Sequence, residues 1–148
     1  MQAILRCKIL SLSLVFCAIE SVTHAAGLES SDSLWERLGG EKVMSGVVDA
    51  TLNRTASELL TRRSFDKVNL QKLKIKIVGH LCELAGGPCK YSGDSMTLAH
   101  QGLDITEAEF FGMVQQLRDA LDSAGVAQDA KNELLRLLAP MKRDIVTK

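Results

Sequence analysis

From Ser33 onward, apolar residues return at three- and four-residue steps, and no stretch alternates as a half-buried strand does, so the chain is predicted to be all-helical. Ser33 can cap a brief helix, Leu34-Trp35-Glu36-Arg37-Leu38, which Gly39-Gly40 stops. A second helix is expected over 41–55, with Val43, Val47 and Ala50 on its inner side, joined by Val48 and Leu52. A mixed connection over 56–67 contains Phe65. Asn69 then caps a third helix, whose Leu70, Leu73, Ile77, Val78, Leu81 and Leu84 form the clearest apolar stripe in the chain.

Gly86-Gly87-Pro88 and a loop through Tyr91-Ser92-Gly93 lead into a short helix over 95–102 that holds His100. Thr106 and Glu109 have capping-box spacing and Ile105 and Phe110 that of a hydrophobic staple, so a long helix starts there. It carries Phe110, Phe111, Val114, Leu117 and Leu121 and ends at Gly125. A last helix over 129–145 is expected to bury Leu134, Leu135, Leu138 and Met141, with Pro140 kinking or breaking its end.

The first residues follow another rule. Arg6 and Lys8 precede an apolar run over 9–19, and polar and small residues follow, ending Thr23-His24-Ala25-Ala26. Those are the three parts of a secretory signal, with cleavage after Ala25 or Ala26. The run is shorter than the roughly 20 apolar residues that a membrane span needs. Residues 1–25 are therefore set aside as a signal peptide, 26–33 as a flexible lead and 34–148 as the folded domain. The expected location is outside the cytoplasm, periplasmic or secreted, with no membrane contact after cleavage.

The 148 residues suffice for one domain with a core. Lysine plus arginine equals aspartate plus glutamate at 18 each, so no basic field exists to draw the protein to nucleic acid or an anionic membrane. Cys7 and Cys17 would leave with the signal. Cys82 and Cys89 remain, flanking Gly86-Gly87-Pro88, where the chain can turn back. In an exported protein an even pair invites a disulfide; in a reducing compartment the two would be separate thiols acting as small hydrophobes.

The order of these features resembles the truncated globins of group I, over nearly the whole domain. Leu34-Trp35-Glu36-Arg37-Leu38-Gly39-Gly40 is similar to the family's opening aromatic and double-glycine signature, and Phe65 falls where the family packs a phenylalanine on the haem face. Gly86-Gly87-Pro88, Tyr91, Gly93, Met96 and His100 resemble its second glycine signature, loop and proximal-histidine helix, and Gly125-Val126 its last turn. The resemblance implies a truncated globin fold, two antiparallel helix pairs crossed around haem b, with His100 as the protein ligand to iron and a diatomic gas (O2, NO or CO) as partner. It places Leu52, Phe65, Leu73, Ile77, Tyr91 and Met96 around the cofactor, Tyr91 near its polar rim. The chemistry suits such a site: iron needs a neutral imidazole, apolar walls that exclude water and a second acceptor that orients the ring.

The sequence departs from the family on the distal side. Group I members usually direct a tyrosine from the second helix and a glutamine from the third at the gas; here those positions are Leu52 and Ile77. A buried donor to a charged acceptor is worth about 1.5–3 kcal/mol, so its loss predicts fast oxygen release and puts tight storage and nitric oxide dioxygenation in doubt. Lys76 lies where some members place an internal sixth ligand, although a lysine ligates only when deprotonated in a dry pocket; its other role is as a solvated side chain or propionate partner. His80 is the second such candidate, at a position that faces the haem edge in the family.

Three rival readings are weighed. His80, Cys82, Cys89 and His100 could suggest zinc, but residues two apart on a helix point about 200 degrees from one another and do not converge. An exported helical interaction module that has lost haem would leave Phe65 and His100 without purpose. A haem enzyme handling nitric oxide or peroxide would need an electron donor that the sequence does not name, so a gas-binding protein with a redox or sensing role is preferred to a dedicated enzyme. Asn53-Arg54-Thr55 fits a glycosylation sequon but falls within a predicted helix and is treated as chance.

Overall fold

Ser33 opens the first helix in the computed structural model, which describes residues 32–148. The segment read as a signal peptide, its cleavage sites, Cys7 and Cys17, and nearly all of the lead lie outside the described residues. The Ser33 hydroxyl accepts from the Glu36 N–H and the Glu36 carboxylate accepts from the Ser33 N–H at 2.9 Å, a reciprocal cap for α1 (Leu34–Arg37). Gly39 follows at φ +87°, where an added Cβ would overlap Val43, so a side chain there is excluded by both backbone and space.

Helix α2 (Gly40–Ser57) then runs through the middle of the molecule. Its buried face consists of Met44, Val47, Val48, Thr51, Leu52 and Thr55; Val43 and Ala50, expected on the inner side, are only half-buried. The two threonines escape an apolar pattern because their hydroxyls donate to the helix's own carbonyls, Thr51 to Val47 at 2.8 Å and Thr55 to Thr51 at 2.7 Å. Thr55 is wholly buried within α2, whereas Asn53 of the same sequon is exposed.

The connection after α2 is more ordered than its mixed composition suggests. It contains a 3-10 turn, Arg62–Phe65, anchored where the Thr61 hydroxyl donates to the Thr55 carbonyl at 2.5 Å. Asn69 caps α3 (Leu70–Leu84) by accepting from the Lys72 N–H at 3.0 Å. Of the predicted stripe only Leu81 is buried; Leu70, Leu73, Ile77, Val78 and Leu84 keep part of their surface open, and Cys82 is buried beside Leu81.

A loop leads to α4 (Met96–His100), capped by Ser95, and then to α5 (Glu107–Ser123), which has the predicted Thr106–Glu109 capping box. Phe111, one of the apolar residues this helix carries, is 53% exposed; the helix buries Glu109, Ala120 and Leu121. A short turn at Gly125, φ +71°, separates α5 from α6 (Gln128–Leu138). The single last helix expected from the sequence breaks at Pro140: a 3-10 turn, Ala139–Met141, separates α6 from α7 (Lys142–Ile145). Leu135, Leu138 and Met141 are half-buried, whereas Ala130, Leu134 and Lys131 are buried, Lys131 because its ammonium pairs with Asp122.

Helix α2 packs on both α3 and α5, and α1 packs on α2 and α6. Leu38, Met44, Leu52, Leu121 and Leu134 fill the middle. Among the described residues there is no strand, and no helix is long and apolar enough to cross a membrane.

Candidate functional site

His100 ends α4, and its Nδ1 lies 2.8 Å from the carbonyl oxygen of Met96, one turn earlier. A carbonyl can only accept, so Nδ1 carries the hydrogen and donates it; in the neutral ring the lone pair is then on Nε2. This arrangement presents an imidazole to a metal with its tautomer already set by a second partner. On its other side His100 borders a dent of about 340 Å³ between α4 and α7, whose rim includes Ser95, Gln101, Asp104 and Asp144. Leu98 also lines it, and none of Leu52, Phe65, Leu73 and Ile77 does.

The apolar surface lies on other elements. Phe65 from the 3-10 turn, Leu73, Ile77 and Val78 from α3, and Met113 and Leu117 from α5 all pack against the central core while remaining partly open. Leu52 belongs to that core and is 2% exposed. A flat apolar group bounded by such side chains and ligated by His100 would meet an acceptor-oriented imidazole and a wall without hydrogen-bond donors, so these residues fit a haem. Four of the expected site residues, Leu52, Phe65, Leu73 and Ile77, thus share one apolar cluster, and two, Met96 and His100, share α4 and a hydrogen bond.

Tyr91 is half-buried. Its hydroxyl donates to the Asp94 carbonyl at 3.0 Å, and its ring lies against His80, centroids 4.7 Å apart. The Nε2 of His80 is buried with no hydrogen-bond partner, and burial pushes the imidazole pKa down against a weaker upward pull from Glu83. Lys76 stands on the exposed side of α3 beside Ile75, which is 74% exposed.

Cys82 and Cys89 are joined by a disulfide, Cα atoms 5.7 Å apart, which ties the end of α3 to the loop before α4. Sulfurs bonded to one another are not thiolates, so two of the four ligands of a zinc reading are withdrawn. Among the described residues no cluster of three or more histidine, cysteine or carboxylate side chains could hold a metal ion.

Sequence reasoning missed a polar clasp across the fold. The Arg63 guanidinium donates to the carbonyls of Leu103 at 2.9 Å and Asp104 at 2.8 Å, and to Glu109 at 2.6 Å. The Glu109 side chain is 6% exposed; burial pushes its pKa up, but hydrogen bonds from Arg63 and from the N–H and hydroxyl of Thr106 outweigh this and hold it below the usual carboxylate range. The capping-box spacing pointed to Glu109, but no local signal pointed to Arg63.

Comparison with known proteins adds the family. The bacterial-like globin family matches residues 33–147. A group 1 truncated haemoglobin of Mycolicibacterium paratuberculosis is 33% identical over 115 residues, covering 78% of this chain and 85% of the relative. The crystal structure of a truncated haemoglobin from Tetrahymena pyriformis in its Fe(III) form superimposes with a TM-score of 0.75 at 25% identity, over 79% of this chain and all of that one. A 2/2 haemoglobin from Synechococcus, described in the cyanomet state with covalently attached haem, has the same fold at a TM-score of 0.73 and 23% identity, over 79% of this chain and all of that one. With the order of helices, the double-glycine corners and these matches in agreement, the chain belongs to the bacterial-like globin family as a group 1 truncated haemoglobin.

Proposed function

We propose that the protein binds haem b, iron protoporphyrin IX, through His100 and reversibly takes up a diatomic gas in a mainly apolar pocket. The observation that carries this reading is the hydrogen bond from His100 Nδ1 to the Met96 carbonyl, which leaves Nε2 as the ligating atom. When bound, haem supplies an iron able to hold dioxygen, nitric oxide or carbon monoxide. The chain's own residues do the rest. Phe65, Leu73, Ile77 and Leu52 exclude water from the cofactor and offer the gas no donor, so dioxygen is released quickly. Lys76, on the wet side of α3, pairs with a haem propionate rather than with iron. Tyr91 and Met96 line the loop side of the cofactor.

Residues 1–25 act as an export signal in this reading, and the protein works in the periplasm or outside the cell. The basic, apolar and small-residue order of that segment supports it, as does a disulfide of the kind that persists in oxidising compartments. The role is gas binding, in redox or sensing chemistry with a partner or electron donor that the residues do not identify.

Visible spectra of the purified protein, ferric, reduced and with carbon monoxide, test this. Haem bands are expected in all three, with His100→Ala losing hemin to a competing apoglobin far faster than the parent. A chain that stays colourless with hemin, or retains it equally well without His100, would overturn the assignment.

A further inference from the structure

The turn that leaves the proximal helix is unusual. Asp104, a non-glycine residue, has φ +50°, a left-handed conformation that persists only where neighbours hold it. It is held from two sides. At the C-terminus, Thr147 and Lys148 donate their N–H groups to the Ile105 carbonyl at 2.9 and 3.2 Å, and the Lys148 ammonium lies 2.8 Å from the Asp104 carboxylate. From the opposite side Arg63 reaches the Leu103 and Asp104 carbonyls. The guanidinium is itself fixed by Glu109: Nη2 donates to Oε2 at 2.6 Å, and Nε stands 2.6 Å from Oε1 as an ion pair outside good hydrogen-bond alignment. Glu109 cannot drift, because its Oε2 also accepts from the Thr106 N–H at 2.9 Å and hydroxyl at 2.7 Å.

The turn begins at His100. The Leu103 N–H donates to the His100 carbonyl at 3.1 Å, so the residue whose carbonyl Arg63 grips is bonded through its N–H to the histidine. Arg63 also lies two residues before Phe65, in the same 3-10 turn. One planar fork, able to donate to two carbonyls while pairing a carboxylate, therefore couples the element bearing Phe65 to the exit of the element bearing His100.

Resting on the haem-binding reading above, we propose that Arg63 is a positioning residue for the proximal histidine: through the Leu103–Asp104 turn and Glu109 it fixes where the His100 ring sits relative to Phe65, and hence its hold on the cofactor. A lysine there keeps the charge opposite Glu109 but cannot span two carbonyls and a carboxylate at once.

The test compares the parent, Arg63→Lys and Arg63→Ala, each loaded with hemin and converted to the ferric cyanide form, in which the hyperfine-shifted proton signals of the ligating imidazole report its orientation. Thermal unfolding and the rate of hemin transfer to a competing apoglobin are measured alongside. The expected result is that Arg63→Lys unfolds near the parent's temperature yet shifts the imidazole signals and speeds hemin loss by about tenfold, the equivalent of one charge-assisted hydrogen bond. Should Arg63→Ala not fold, Arg63→Lys alone decides. Unshifted signals and an unchanged transfer rate in a folded Arg63→Lys protein overturn the positioning role while leaving haem binding intact. Failure of the parent to take up hemin, or to show an imidazole ligand at all, overturns the haem-binding reading itself.

Discussion

Cys82, with none of its surface exposed, is bonded across the Gly86-Gly87-Pro88 turn to Cys89, seven positions along the chain. The bridge fixes the end of the helix that carries Leu73 and Ile77 to the loop that leads, through Tyr91, into the helix of His100. Closing so short a loop removes about 2–3 kcal/mol of chain entropy from the unfolded state. Cys82→Ala/Cys89→Ala is therefore expected to lower the unfolding free energy, read from urea denaturation, by that amount without changing the fold. A double variant as stable as the parent would mean that the two sulfurs contribute only as packed apolar atoms.

Gly87 sits inside the same corner. A Cβ at that position would lie 2.7 Å from the Cys82 sulfur and 2.8 Å from Cδ1 and Cγ of Trp35. Gly87→Ala should destabilise by about 1–3 kcal/mol through overpacking and should shift the emission of Trp35, the chain's one tryptophan. Gly79, inside α3 with nothing within 4 Å of its missing Cβ, supplies the contrast. Gly79→Ala should stabilise by about 0.5–1 kcal/mol. Equal effects of the two substitutions would refute the steric account.

How much of this was legible in the sequence depends on the range of the interaction that decides it. Ser33, Asn69 and Thr106 announce three helix starts, because a cap is a contact within four residues. Pro140 announced a break, and Gly39 and Gly125 the turns that need a positive φ. Burial was less legible: Thr51 and Thr55 are interior because their hydroxyls are satisfied within their own helix, which an apolar count cannot register. The site divides in the same way. His100, Phe65 and the glycine corners were recognisable as a pattern, whereas the clasp between Arg63 and Glu109 joins residues 46 apart and exists only once α5 has been laid near the turn after α2.

Glu109 supplies a pH dependence with a definite sign. Its folded pKa is depressed, because hydrogen bonds from Arg63 and Thr106 outweigh the upward push of burial. Such a group contributes stability that is complete above its unfolded pKa, about 4.3, and is lost as the pH falls through the lower, folded value. Urea midpoints of the parent should therefore decline below about pH 4.5, a limb to which this carboxylate contributes. Glu109→Gln should be less stable than the parent at neutral pH and should converge on it in acid. A gap of constant size from pH 7 to the acid limb would show that the ionised form carries none of the effect.

In the proposed haem pocket, Ile77 is expected to decide how a polar gas is held. It is half-buried on α3, one turn after Leu73, and with the fully packed Leu52 it leaves that side of the cluster without a hydrogen-bond donor. Dioxygen gathers negative charge when it is held by haem iron and carbon monoxide gathers little, so a donor added there should discriminate between them. Leu52→Tyr is the poorer test, because a ring forced into a site only 2% exposed costs about 1–3 kcal/mol in overpacking. Ile77→Gln keeps a similar length and adds an amide N–H; at about 1.5–3 kcal/mol for a hydrogen bond to a charged acceptor, it should slow oxygen release by one to two powers of ten. Stopped-flow displacement measures this directly, with the carbon monoxide rate expected to change little. If Ile77→Gln releases oxygen as fast as the parent, or if the parent already releases it slowly, the pocket is not the apolar one described and a donor from another part of the chain must reach the gas.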